Sequence, residues 1–191
     1  LRKARELTES WSVYHSSMGF DERSNLDNTN ASSGTTTFRS DGGDPTSTLN
    51  YINNNNTSEG LEYVFTAVPG FSAFGRYEGT GTAEGAFQYC GFTPRWILLK
   101  NVDNGTNRNW IIIDTKRSTF NINDGETVLF ANQGDTESYA SDSYGRFDQK
   151  DAIDILSNGF RLTEPNTSGV WTQVNNTNQT HIWAAFADIS F

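Results

Sequence analysis

Two stretches of this chain copy one another. "WSVYHSSMGF" begins at Trp11 and "WIIIDTKRSTF" at Trp110, 99 positions on, and each runs from a tryptophan through an alternating or apolar strand into small polar residues. The likeness continues on both sides. "LRK" ending at Lys3 answers "LLK" ending at Lys100, an offset of 97, while "EYVFTAVPGF" answers "WAAFADISF", pairing Phe65 with Phe186 and Val68 with Ile189 at an offset of 121. Copies that agree at both ends and differ in spacing between them point to one unit duplicated and then enlarged by insertion. The second copy has two extra residues in its turn from Asp103 to Asn109, and "NINDGETVLFANQGDTESYASDSYGRF" is expected to hold much of the remaining difference.

A complete unit is expected over residues 74–191, and the C-terminal part of a first unit over residues 1–73, joined around Pro69 to Gly75. The first copy lacks the leading segment "FGRYEGTGTAEGAFQYCGFTP". Two strands' worth of its partners are therefore expected ahead of Leu1 or from another chain, since a bare sheet edge invites pairing. Units of this size match antiparallel sandwiches and exceed the usual solenoid period.

Strands are expected at "WSVYH", "STLNYI", "LEYVFTAV", "GAFQYCGF", "RWILLK", "NWIIID", "TVLFA", "IDILSNGFRL" and "HIWAAFADISF", which alternate or concentrate β-branched and aromatic residues. Between them lie "DGGDP", "NNNNTSEG", "EGTGTAEG", "DNGTN" and "EPNTSG", rich in residues that accept turn geometry. No helical period persists beyond about two turns. The expected fold is all-β: two related antiparallel β-sandwich-like modules in tandem, the first without its N-terminal strands.

Composition narrows the function. Formal charge is −9, from 23 acidic and 14 basic residues without long runs, so phosphate backbones and anionic lipid surfaces are repelled and nucleic acid and membrane are poor partners. A single cysteine, Cys90, excludes an intrachain disulfide and a Cys-based zinc cluster. Aromatic residues are 13% of the chain, which rests the core on a few large side chains. The opening "LRKARELTESW" has no initiator Met and no apolar signal core, and reads as an internal fragment.

With "WSVYHSSMGF", "EYVFTAVPGFSAFGRYEGTGTAEGAFQYCGFTPRWILLK", "NWIIIDTKR", "IDILSNGFRL" and "WAAFADISF" in view, the chain resembles a tandem-repeat β domain of tail-fibre and other virion structural proteins of tailed phages, notably marine ones. Tyr77, Gly79, Gly81, Gly91, Phe92, Pro94, Lys100, Trp110, Gly159 and Phe160 fit that family's pattern, while Thr80 and Ala67 depart from it. The resemblance implies a structural role at a virion surface or appendage, with other virion proteins or copies of the chain as partners. It implies no catalytic residues; from the residues themselves, no cofactor and no metal are expected.

Several residues invite chemistry and are weighed on their spacing. His15 precedes Ser16 and Ser17, a nucleophile-and-base pairing that the second copy replaces with Asp114, Thr115 and Lys116, so a solvent-facing strand-end histidine is expected. His181 has no Cys or His companion near it. Asp148, Asp151 and Asp154 cluster, and Glu78 and Glu84 flank a glycine-rich turn; a glycosidase would need two such carboxyls at fixed separation in an aromatic cleft. "DNGTNRN" offers oxygen ligands but reads as a hairpin turn, and "EGTGTAEG" lacks the Lys and helix of a phosphate loop and also reads as a hairpin turn. Cys90, inside an apolar strand, is expected to be an inert packing residue.

Trp11, Trp96, Trp110, Trp171 and Trp183 could stack on sugars. Trp11, Trp96 and Trp110 are expected in the core, whereas Trp171, which follows "EPNTSGV" near a loop, is the one least expected to be buried and is the candidate ligand-binding residue. Asn-x-Ser/Thr sites at Asn30, Asn56, Asn104, Asn166 and Asn178 are what an Asn- and Thr-rich chain produces by chance. The expected function is assembly and surface interaction in a phage particle. The alternative is a host glycan or receptor module using loops 41–45 or 132–144, and the third a polysaccharide-degrading enzyme using Asp148, Asp151 and Glu84.

Overall fold

The computed structural model describes residues 1–4, 8–19, 22–34, 60–104, 108–117, 128–134, 153–163 and 171–188. Its strands are β1 (Arg2–Ala4), β2 (Ser12–Val13), β3 (Glu22–Asn25), β4 (Ser33–Gly34), β5 (Gly60–Glu62), β6 (Ser72–Glu78), β7 (Phe87–Tyr89), β8 (Pro94–Asn101), β9 (Ile111–Asp114), β10 (Leu129–Phe130), β11 (Ile153–Leu156), β12 (Gly159–Leu162) and β13 (Thr180–Ala187). A four-residue helical turn, α1 (Trp171–Val174), precedes β13. The chain is all-β, and every pairing between these strands is antiparallel. No helix among the described residues is long and apolar enough to cross a membrane.

Three sheets form. The N-terminal sheet runs β4-β3-β2-β1-β5, the central sheet β10-β9-β8-β13-β6, and a small sheet β11-β12-β7. The strands β8 and β9 are buried on one face and partly covered on the other, which is why "WILLK" and "WIIID" are nearly continuous apolar runs rather than alternating ones, while Arg76 and Glu78 of β6 are exposed. Side chains alternate across a strand. Ile97, Leu99, Ile111, Ile113, Trp183 and Ala185 therefore face the small sheet and pack on Phe160, Leu162, Ile153 and Cys90. Leu98 and Ile182 face the other way, meeting Met18 of the N-terminal part together with Val102 and Trp110.

The pairing of the first sheet recurs in the second. Arg2 pairs with Ser12 and Glu62, and Leu99, 97 positions after Arg2, pairs with Ile111 and Trp183, which stand 99 and 121 after those partners. The order β3-β2-β1-β5 thus has the same form as β10-β9-β8-β13. In the central sheet β13 has a further neighbour, β6; in the N-terminal sheet β5 is the last strand among the described residues.

Several expectations change. "IDILSNGFRL" is two strands, β11 and β12, reversing at Ser157 and Asn158 with Leu156 opposite Gly159. "EGTGTAEG" is no hairpin turn, because β6 lies in the central sheet and β7 in the small one; it is a crossover between layers. β6 starts at Ser72, inside the segment expected to join two modules. Of "LEYVFTAV" only Leu61 and Glu62 lie in a strand, the end of β5 (Gly60–Glu62). "STLNYI", loop 41–45, Asp148, Asp151 and most of loop 132–144 lie outside the described residues, as does the side chain of Trp171.

Candidate functional site

The residues that fit the resembled pattern serve packing and backbone geometry. Tyr77 is buried and donates its hydroxyl to Val174 O at 2.6 Å, and burial raises its phenol pKa. Gly81, at φ 67°, and Gly79 sit against the 175–179 segment, where a Cβ on Gly79 would stand 2.1 Å from Asn176 O. The backbone donors of this loop are consumed within the fold: Gly79 N reaches Gln179 O, Thr80 N reaches Asn175 Oδ1 and Gly81 N reaches Asn175 O. A loop whose amides already have acceptors does not cradle a phosphate.

Both histidines are buried, which overturns the expectation of a solvent-facing His15. Its Nδ1 accepts from Ser17 N at 3.1 Å and its Nε2 lies 3.1 Å from Trp183 O, so both nitrogens serve backbone groups; burial lowers its pKa. His181 is fully buried and stacked on Tyr77 at 4.8 Å. Its Nδ1 lies 2.9 Å from Gln179 O, and its Nε2 3.1 Å from Gln173 O and 3.3 Å from Asn101 Nδ2. Burial outweighs these carbonyls and pushes the imidazole down to about 4.

Lys100 is buried beside Trp110, with Nζ 6.0 Å from the ring centroid, and donates to Thr29 O and Arg108 O. Burial, then the charge of Arg108, brings it down to about 8. Lys3 stands over Trp11 at 5.6 Å in the same relation. Trp110 is buried, its indole N–H on Asn25 O at 2.7 Å, whereas Trp11 and Trp96 are only half-buried, the latter packed on Phe186. Trp183 is buried and donates to Gln88 Oε1 at 3.0 Å. Cys90 is buried, and desolvation pushes its thiol up to about 12, far from nucleophilic.

Asp103 accepts from Thr180 N at 2.7 Å, and Asn101 Oδ1 accepts from the backbone N–H groups of Asp103 and Asn104, so these oxygens hold the turn. Among the described residues no cluster of His, Cys, Asp and Glu has the makings of a metal site. Of the acidic candidates, Asp154 bonds Arg161 at 2.8 Å and Glu84 approaches the same guanidinium at 3.7 Å. The bond to Asp154 raises the Arg161 pKa. A shallow cleft of about 440 Å³ lies by Phe92, Pro94, Arg95, Lys116, Ala187 and Asp188. Its cations are taken, Arg95 by Asp114 and Lys116 by Asp188.

Two surface features were not anticipated. Leu61, Tyr63, Val64, Phe65, Val68 and Phe71 form an exposed apolar run, and Phe87 and Tyr89 stand exposed on β7. The alternation that signals them is visible in "GAFQYCGF", but the sequence does not say which side faces out.

No curated protein and no solved structure matches the chain. A family model described as a domain of unknown function, DUF7483, matches residues 1–189, across both the N-terminal and central sheets. The chain belongs to the DUF7483 family.

Proposed function

We propose that the chain is a structural and interaction module of a phage virion, in a tail fibre, another appendage or the capsid surface, acting by assembly with other virion proteins or copies of itself rather than by catalysis. The observation that carries this reading is the exposed apolar run from Leu61 to Phe71, in which Val64 is 72% and Phe65 58% accessible. Exposed apolar side chains this close in sequence, beside a strand that is the last of its sheet among the described residues, are of the kind that subunits bury. The buried histidines and cysteine, the lowered or raised pKa values of which follow from packing, favour a scaffold over a reaction centre.

The recurrence of strand order and register supports a duplicated unit, and with it two related modules over residues 1–73 and 74–191. Tandem copies extend a rigid surface, which suits an appendage. The assembly reading is tested by sedimentation velocity over a wide concentration range, comparing wild type with Val64→Asp. Concentration-dependent association that the exposed substitution abolishes, with unchanged melting, is expected. A monomer at every concentration, and absence of the chain from purified particles by mass spectrometry, would refute it.

A further inference from the structure

Phe87 and Tyr89 are 45% and 68% accessible, while Gln88 between them is buried, so both rings stand on the outer face of the small sheet. Same-side residues on one strand are about 7 Å apart. Their cross-strand partners lie on that face too: Arg161 opposite Phe87 and Gly159 opposite Tyr89, with Asp154 beyond Arg161 and Leu156 beyond Gly159. Gly159 leaves the flank of Tyr89 without a side chain. At the other end Arg161 is held by Asp154 and Glu84. Phe87 thus lies beside the hydrogen-bonding groups of Arg161 and Asp154, and Tyr89 beside the open flank of Gly159.

The strand beneath is fixed. Gln88 Oε1 accepts from the buried Trp183 indole at 3.0 Å, and Gln88 Nε2 donates to Phe87 O at 2.9 Å. Among the described residues β7 is the last strand of its sheet, and that second bond occupies one of its carbonyls, which disfavours addition of another strand there. Isolated exposed aromatics are ordinary, but two on a strand anchored to the core form a pre-ordered platform.

We propose that this face, Phe87 and Tyr89 with Arg161, Asp154 and Glu84, binds an uncharged pyranose chain. Sugar rings lay their C–H faces on the aromatic rings, while hydroxyls reach the guanidinium and carboxylates. Two carboxylates against one guanidinium leave the site with surplus negative charge, which selects neutral over anionic saccharides. The inference stands independently of the virion assignment, because it uses a different surface from the Leu61–Phe71 run.

The test is isothermal titration of the full chain with cellohexaose, laminarihexaose, maltohexaose and chitohexaose. Binding to at least one is expected, weakened about tenfold or more by Tyr89→Ala and by Phe87→Ala, and retained in Tyr89→Phe, which keeps the ring. Both positions are exposed, so thermal melting of the variants should match wild type. No binding of any hexasaccharide up to about 10 mM, or binding that persists in the Phe87→Ala, Tyr89→Ala double variant, overturns the proposal. So does self-association lost on Tyr89→Ala, which would make the face an interface between copies.

Discussion

Acidification should weaken this fold through His181. The imidazole is neutral in the folded chain because burial holds it down to about 4, against an ordinary value of 6.5. Above pH 6.5 neither the folded nor the unfolded chain is protonated there, and this contribution is fully present. As pH falls from 6.5 to about 4 the unfolded chain takes up a proton that the folded chain refuses, so stability declines; below about 4 the loss is complete. The interval is about 2.5 pH units at about 1.4 kcal/mol each, or about 3.5 kcal/mol in full, of which about 3 kcal/mol is lost by pH 4. His15, also lowered by burial, acts in the same direction.

Urea denaturation followed by tryptophan fluorescence from pH 7.5 to pH 4, on wild type and His181→Gln, isolates the effect. Gln does not titrate, and the carboxylates and His15 are common to both chains. The stability difference between them should shift by about 3 kcal/mol across that range, in the direction that favours the variant at low pH. Parallel stability curves for the two proteins would refute the reasoning, since they would mean that His181 charges as readily in the folded state as in the unfolded one.

Phe160→Ala should cost about 3–5 kcal/mol in the same denaturation assay, because the ring is fully buried and meets Trp183 edge-on at 5.4 Å. Gly159→Ala should also destabilise, by about 1–3 kcal/mol, since its Cβ would stand 2.0 Å from Gln88 O and push β12 from β7. Hydrogen exchange would show the second change as faster exchange at Cys90 and Gly91, whose amides bond Asn158 O in the adjoining reversal.

The β class and the central strands were legible because β8 and β9 are long apolar runs whose composition admits little else. The offsets of 97, 99 and 121 also coincide with the observed pairing, since residues that face each other across strands keep their relation wherever the register is kept. β6 was missed as a strand. "SAFGRYE" is small and charged, and its Gly75 is required by a distant ring: a Cβ there would meet Trp183 at 2.5 Å. Nothing local in the sequence announces such a constraint.

The polar residues were harder still. Glu84 and Asp154 could be noted as carboxylates, but Arg161, which brings them together, is far from Glu84 in sequence and becomes its neighbour only when the small sheet forms. His15 looked exposed because it ends a strand, whereas the turn that follows folds it onto the backbone of Trp183. The outer aromatics of β7 could be assigned a side only once Gln88 was seen to turn inward.

The seam between the two halves is stitched from both directions. Trp110 gives its indole proton to Asn25, Lys100 its ammonium to Thr29, Val102 its carbonyl to Ser32, and Trp183 its carbonyl to His15. Cutting the chain near residue 73 would strip an indole, an ammonium and an apolar face of their cover in one stroke. The central sheet therefore relies on residues 15–32 to cover groups that it cannot satisfy by itself.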